Sequence, residues 1–137
     1  RVHPNLSGAC LLPTQLVHAL ALMLLLWDPT PRARSQACDD LTDYAQEAYD
    51  YARKAYRTDD FDDALLYAKR AMTAASNAEA AASDCECSDG ESYASDAYSY
   101  ARKAYRAESL EDVQHYAKKA MSAADDTLSA AADCEDS

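Results

Sequence analysis

From Leu41 onward, small and apolar residues return every three or four positions. Leu41, Ala45, Ala48, Ala52 and Ala55 form one such row, and Phe61, Ala64, Ala68, Ala71, Ala75, Ala78 and Ala82 form a second. This rhythm is a heptad seam whose a and d positions are nearly all alanine. Alanine is the strongest helix former, and its short side chain lets facing helices approach to the low end of the usual ~8–10 Å. The pattern predicts helices near 41–57 and 61–83. Between them, Arg57-Thr58-Asp59-Asp60 has room only for a tight antiparallel turn. Asp60 suits an N-cap, and Asp63 three residues on completes a box-like start. Asp39, Asp40 and Asp43 open the first helix while Arg53, Lys54 and Arg57 close it, both complementing the helix dipole. The segment reads as an αα-hairpin.

The hairpin is written twice. Tyr51–Arg57, YARKAYR, recurs letter for letter at Tyr100–Arg106, and the match extends without a gap from Cys38–Glu86 to Cys87–Glu135. Of those 49 pairs 26 are identical, which marks a tandem duplication. All ten tyrosines pair across it, as do Cys38 with Cys87 and Cys85 with Cys134. The second copy predicts helices near 90–106 and 110–132, with Ser109 as the cap. The expected fold is all-α: two tandem, disulfide-closed antiparallel hairpins in an alanine-seamed four-helix array. The expected divisions are a leader at 1–37, hairpins at 38–86 and 87–137, and a short acidic tail on the second.

Phe61-Asp62-Asp63-Ala64-Leu65-Leu66-Tyr67-Ala68-Lys69-Arg70-Ala71 resembles the second helix of a tetratricopeptide hairpin, with Ala64 and Ala71 at its small positions and Ala52 at that of the first helix. The resemblance covers about half of each unit and implies a protein-binding role. Stacked in an array of that kind, the hairpins would leave matching tyrosine faces at both ends. Such faces mark contact surfaces.

Four cysteines bracket the hairpins and allow three pairings. Cys85 and Cys87 are too close in sequence to pair with each other. Pairing Cys38 with Cys85 and Cys87 with Cys134 closes each hairpin on itself. Aligning Arg57 with Phe61 across the turn leaves Cys38 about 7 Å short of Cys85, at ~1.5 Å per helical residue. Extended residues 38–40 would close most of that gap, making Asp40 and its counterpart Asp89 the N-caps. A structural disulfide framework implies an oxidising compartment.

The leader agrees with export. Leu16–Trp27 is an apolar run, and Ser35 and Ala37 have the −3 and −1 spacing of a cleavage site. Cleavage there would start the mature chain at Cys38. The alternative is an uncleaved anchor over Leu11–Trp27, the one circumstance in which a membrane is an expected partner. The sequon Asn5-Leu6-Ser7 lies in this leader.

Residues 38–137 carry 10 Lys+Arg against 23 Asp+Glu, a net of −13. That balance argues against nucleic acid, which needs a basic footprint. No catalytic constellation is visible. His115 is the one histidine beyond the leader, Gly8 and Gly90 are the only glycines, and calcium-loop spacing is absent. No enzyme activity, metal or cofactor is expected. The candidate contact surface is Tyr44, Tyr49, Tyr51, Tyr56, Arg53 and Arg57, repeated as Tyr93, Tyr98, Tyr100, Tyr105, Arg102 and Arg106. Its plain reading is helix-flanking aromatics and C-terminal cations copied with the hairpin. Its sharper reading is a contact stripe for an acidic or sugar-like ligand. The expected function is a secreted, non-enzymatic structural or protein-interaction protein that self-associates or binds another extracellular protein. The alternative is a carbohydrate- or ligand-binding module using tyrosine stacking faces.

Overall fold

The computed structural model describes residues 31–136, which form four helices. They are α1 (Pro31–Arg57), α2 (Phe61–Asp84), α3 (Ser88–Tyr105) and α4 (Leu110–Glu135). The alanine seams are their buried faces. Leu41, Ala45, Ala48, Ala52 and Ala55 are all buried in α1, and Ala64, Ala68, Ala71, Ala75, Ala78 and Ala82 in α2. Phe61, read as part of the seam, is only half-buried. Asp60 and Ser109 cap α2 and α4 as their sequences require. Asp60 Oδ1 accepts from the Asp63 backbone N–H at 2.8 Å, and Ser109 Oγ from that of Asp112 at 3.2 Å.

The core consists of four layers, each drawing on all four helices. Ala52, Ala71, Ala101 and Ala120 make the simplest, one alanine per helix. Towards the interhelical turns lies a layer with Ala55, Ala68, Ala104, Val113 and Ala117. On the other side lie Ala48, Ala75, Ala97 and Ala124, and beyond them the disulfide end with Cys38, Leu41, Ala82, Cys87 and Ala131. Repeat-equivalent residues therefore sit at the same level, so an approximate two-fold axis runs along the bundle and relates the hairpins. Helix α3 packs along both α2 and α4, while α2 and α4 touch only slightly, as a diagonal pair. The Thr42 hydroxyl of α1 lies 3.3 Å from a Glu135 carboxylate oxygen of α4, and Gln114 Nε2 of α4 donates to the Thr58 carbonyl in the α1–α2 turn at 3.1 Å. The result is an up-down-up-down four-helix bundle.

This closure differs from a stacked array. The hairpins meet through their alanine faces, not through tyrosines, and there is no row of units with two matching ends. The physical reason is that an alanine stripe buries little area by itself. It gains most when three other stripes converge on it.

The two disulfides are Cys38–Cys85 and Cys87–Cys134, with Cα separations of 4.9 and 5.8 Å. The route by which they are reached differs from the expectation. Helix α1 starts at Pro31, so residues 38–40 are helical, and Asp40 does not cap it. Nor does Asp89 cap α3, whose N-cap is Cys87 with no side-chain capping bond. The gap closes by axial stagger instead. Ala55 lies level with Ala68, Ala52 with Ala71, Ala48 with Ala75 and Leu41 with Ala82, and that register brings Cys38 level with Cys85. The first turn of α2 overhangs. Because α1 continues upstream, the bond between Ala37 and Cys38 lies inside a helix, and Arg34 Nε donates to the Cys85 carbonyl at 3.0 Å. The apolar run, its anchor alternative and the sequon lie outside the described residues.

Helix α2 ends in a Schellman motif. The Cys87 N–H bonds the Ala82 carbonyl at 2.9 Å and the Glu86 N–H bonds that of Ser83 at 3.1 Å. Glu86 takes the left-handed conformation, φ 60°, usually given to glycine. This single residue reverses the chain between two buried cysteines, and so α3 starts beside the end of α2.

Candidate contact site on the outer hairpin faces

With the alanine faces spent inside, each hairpin turns its other residues outward. In the first, the rings of Tyr51 and Tyr67 stack at 6.5 Å between centroids and 24° between planes. Lys54 Nζ lies 5.2 Å from the Tyr51 ring and 5.8 Å from Tyr67, and the Arg70 guanidinium lies 5.7 Å from Tyr51. The second hairpin repeats the cluster. Lys103 sits 5.6 Å from Tyr100 and 5.9 Å from Tyr116, and Lys119 sits 5.6 Å from Tyr100. The helical spacing produces this. Residues 51 and 54 share one flank of α1, 67 and 70 share one flank of α2, and the antiparallel register sets the flanks side by side. Each cation–ring contact at an exposed site is worth about 0.5–1 kcal/mol.

Next to each cluster lies an open groove. Asp50, Arg53, Lys54, Arg57, Thr58 and Tyr67 line the first, a cavity of about 570 Å³. The second, of about 560 Å³, is lined by the equivalent Ser99, Arg102, Lys103, Arg106, Ala107 and Tyr116, and by Glu108 and Asp112. The guanidinium groups of Arg53, Arg57, Arg102 and Arg106 have no hydrogen-bond or ion-pair partner among the described residues. Asp50, the nearest acid in sequence to Arg53, accepts instead from Gln46 Nε2 at 3.1 Å. In a chain with nearly twice as many acids as bases, four arginines on two equivalent surfaces stay unneutralised.

The predicted contact residues divide between support and surface. Tyr44 packs on the disulfide-end layer, and Tyr49, Tyr98 and Tyr100 on the layer of Ala48 and Ala97. Tyr51 and Tyr100 both lean on the layer of Ala52 and Ala101. Tyr56, Tyr93 and Tyr105 are the outward ones, at 36, 40 and 38% exposure. The structure brings Arg53 with Arg57, and Arg102 with Arg106, into the grooves. Lys54, Tyr67, Lys103 and Tyr116 line them too, while Arg70 and Lys119 belong to the neighbouring cation–ring clusters, and sequence reasoning left all six out of the contact surface. The signal was present as the i, i+3 pairs 51/54 and 67/70.

His115 is exposed, its ring edge-on to Tyr116 at 5.1 Å. Among the described residues no group of three His, Cys, Asp or Glu side chains could hold a metal, and no helix is long and apolar enough to cross a membrane. No family model matches the chain, and no characterised protein or solved structure does so. The likeness to tetratricopeptide hairpins is therefore one of local geometry.

Proposed function

We propose that this is a secreted, non-enzymatic interaction protein, a disulfide-locked bundle that self-associates through its outward tyrosine and arginine faces. The observation that carries this reading is the pair of equivalent grooves whose guanidiniums have no partner among the described residues, on helices that also expose Tyr56 and Tyr105. Tyrosine and arginine are the residues enriched at interface hot spots. Two disulfides in so small a bundle support an oxidising, extracellular setting, and the leader sequence supports export. Stacking of sugars on tyrosine is the weaker reading, because intramolecular cations already occupy the rings of Tyr51 and Tyr100.

The net charge of −13 on residues 38–137 opposes contact between copies. Screening relieves that repulsion, so association should strengthen as salt rises. Sedimentation of the oxidised protein from dilute to concentrated, at low and at high salt, tests this. A strict monomer under every condition removes self-assembly and leaves a different extracellular protein as the partner.

A further inference from the structure

We propose that each groove is a binding site for one compact oxyanion carried on an aromatic or apolar body, and that the chain takes two such ligands. This rests on the reading of the outer faces as contact surfaces, and it names what they hold.

Three observations carry it. First, Arg53 and Arg57 are one helical turn apart on α1 and line the same cavity with Lys54, so two planar forks and an ammonium share one lining. An arginine fork matches a carboxylate, sulfate or phosphate group through paired N–H donors, which a lysine cannot do. Second, these guanidiniums have no hydrogen-bond or ion-pair partner among the described residues, and Gln46 holds the neighbouring Asp50 carboxylate. Third, Tyr67 lines the same cavity, its ring stacked on Tyr51 and 5.8 Å from Lys54 Nζ, and the cavity's 570 Å³ lies in the range of small-molecule sites. Arg102, Arg106, Lys103 and Tyr116 reproduce the arrangement on the second hairpin.

The whole-molecule charge limits the ligand class. A long polyanion would extend from the groove over a surface that includes Asp59, Asp60, Asp62 and Asp63 in the first hairpin and Glu108, Glu111 and Asp112 in the second. A single anionic group meets only the local cations, because fields beyond about 8–10 Å are screened at physiological salt. The grooves should also differ. Glu108 and Asp112 line the second one, whereas among the described residues Asp50 is the only acid lining the first, so the first binds several-fold more tightly.

Calorimetric titration of the oxidised chain with phenyl sulfate, at an ionic strength of about 0.15 M and below any self-association threshold, tests the proposal. The expected result is saturable binding of two molecules per chain, with a Kd on the order of 1 mM, and weaker binding of inorganic sulfate. Arg53→Ala with Arg57→Ala should leave one site, as should Arg102→Ala with Arg106→Ala, and all four together should leave none. These arginines are exposed and their side chains make no bond among the described residues. Helicity should therefore match the parent with only a modest fall in Tm from the lost helix-dipole contacts, and loss of binding at parental helicity will not reflect misfolding. A stoichiometry of two surviving either double variant would overturn the assignment, as would no saturation by about 10 mM. Equal affinity for inorganic sulfate would overturn the need for an apolar body. A monomer in sedimentation that still binds two phenyl sulfates would refute self-association alone.

Discussion

Single residues set how closely the two hairpins meet. Leu41 and Gly90 are repeat equivalents, and the two-fold arrangement places them against each other, the largest buried aliphatic beside the smallest residue. A Cβ on Gly90 would lie 2.9 Å from Cys87 Sγ and 3.2 Å from Leu41 Cδ2. The same complementarity recurs at the other end, where Val113 and its counterpart Ala64 share a layer. Gly90→Ala should therefore lower stability. Helix propensity returns up to about 1 kcal/mol, but overpacking against a sulfur held in a disulfide costs about 1–3 kcal/mol. A thermal melt should show Tm falling by several degrees, at about 4–8 °C per kcal/mol for a domain of this size. An unchanged Tm would mean that α1 and α3 do not touch here. The sequence shows Gly90 only as a poor helix residue in an otherwise strong helix, and its partner becomes visible only in the folded bundle.

At the scale of the element, alanine seams and capped turns explain most of the helices. Ala52 and Ala71 are 1 and 2% exposed and share a layer with Ala101 and Ala120. Ala52→Leu or Ala71→Leu should cost on the order of 1–3 kcal/mol by forcing that layer open. Asp50→Ala on the exposed face should cost a few tenths of a kcal/mol at most. Denaturant midpoints compare the three, and seam variants as stable as the parent would put those alanines on the outside. The connection between α2 and α3 gives the opposite sign. A left-handed residue other than glycine costs about 1–2 kcal/mol, and glycine at Glu86 recovers that cost less about 0.4–1 kcal/mol of unfolded-chain entropy. Glu86→Gly should raise the denaturant midpoint modestly. A fall would show that the glutamate side chain itself holds the turn. The start of α1 lies beyond what periodicity reveals. The seam begins at Leu41, while Arg34 bonds across to Cys85, and the helix runs back to Pro31.

For the whole molecule, the four mixed layers mean that neither hairpin has a core of its own. Residues 38–86 by themselves, even with Cys38–Cys85 formed, should lose most of their helical circular dichroism, because each alanine face would meet one other face and water instead of three others. The intact chain should unfold in one transition. Each disulfide closes a loop of 47 residues, worth roughly 4 kcal/mol on the chain-entropy model. That stabilisation matters in a core whose largest fully buried side chains are only Leu41, Val113, Thr127, Cys85 and Cys87. Cys38→Ser with Cys85→Ser should thus destabilise both hairpins together. Hydrogen exchange that loosens only α1 and α2 would show two independent units.

The sequence by itself determined the helices, the turn caps, the duplication and the cysteine pairing, because each follows from spacing within one hairpin. It also contained every residue of the outer grooves, including the lysines and second-helix tyrosines whose grouping was missed. Tertiary structure decided the rest. It set the stagger that brings Cys38 to Cys85, the length of α1 upstream of its seam, and the closure of two hairpins into one bundle. The physical reason is that alanine stripes are compatible with several ways of packing. Periodicity says which face of a helix is buried, and only the packed layers say against which helices, at what register, and which flanks are left to face outward.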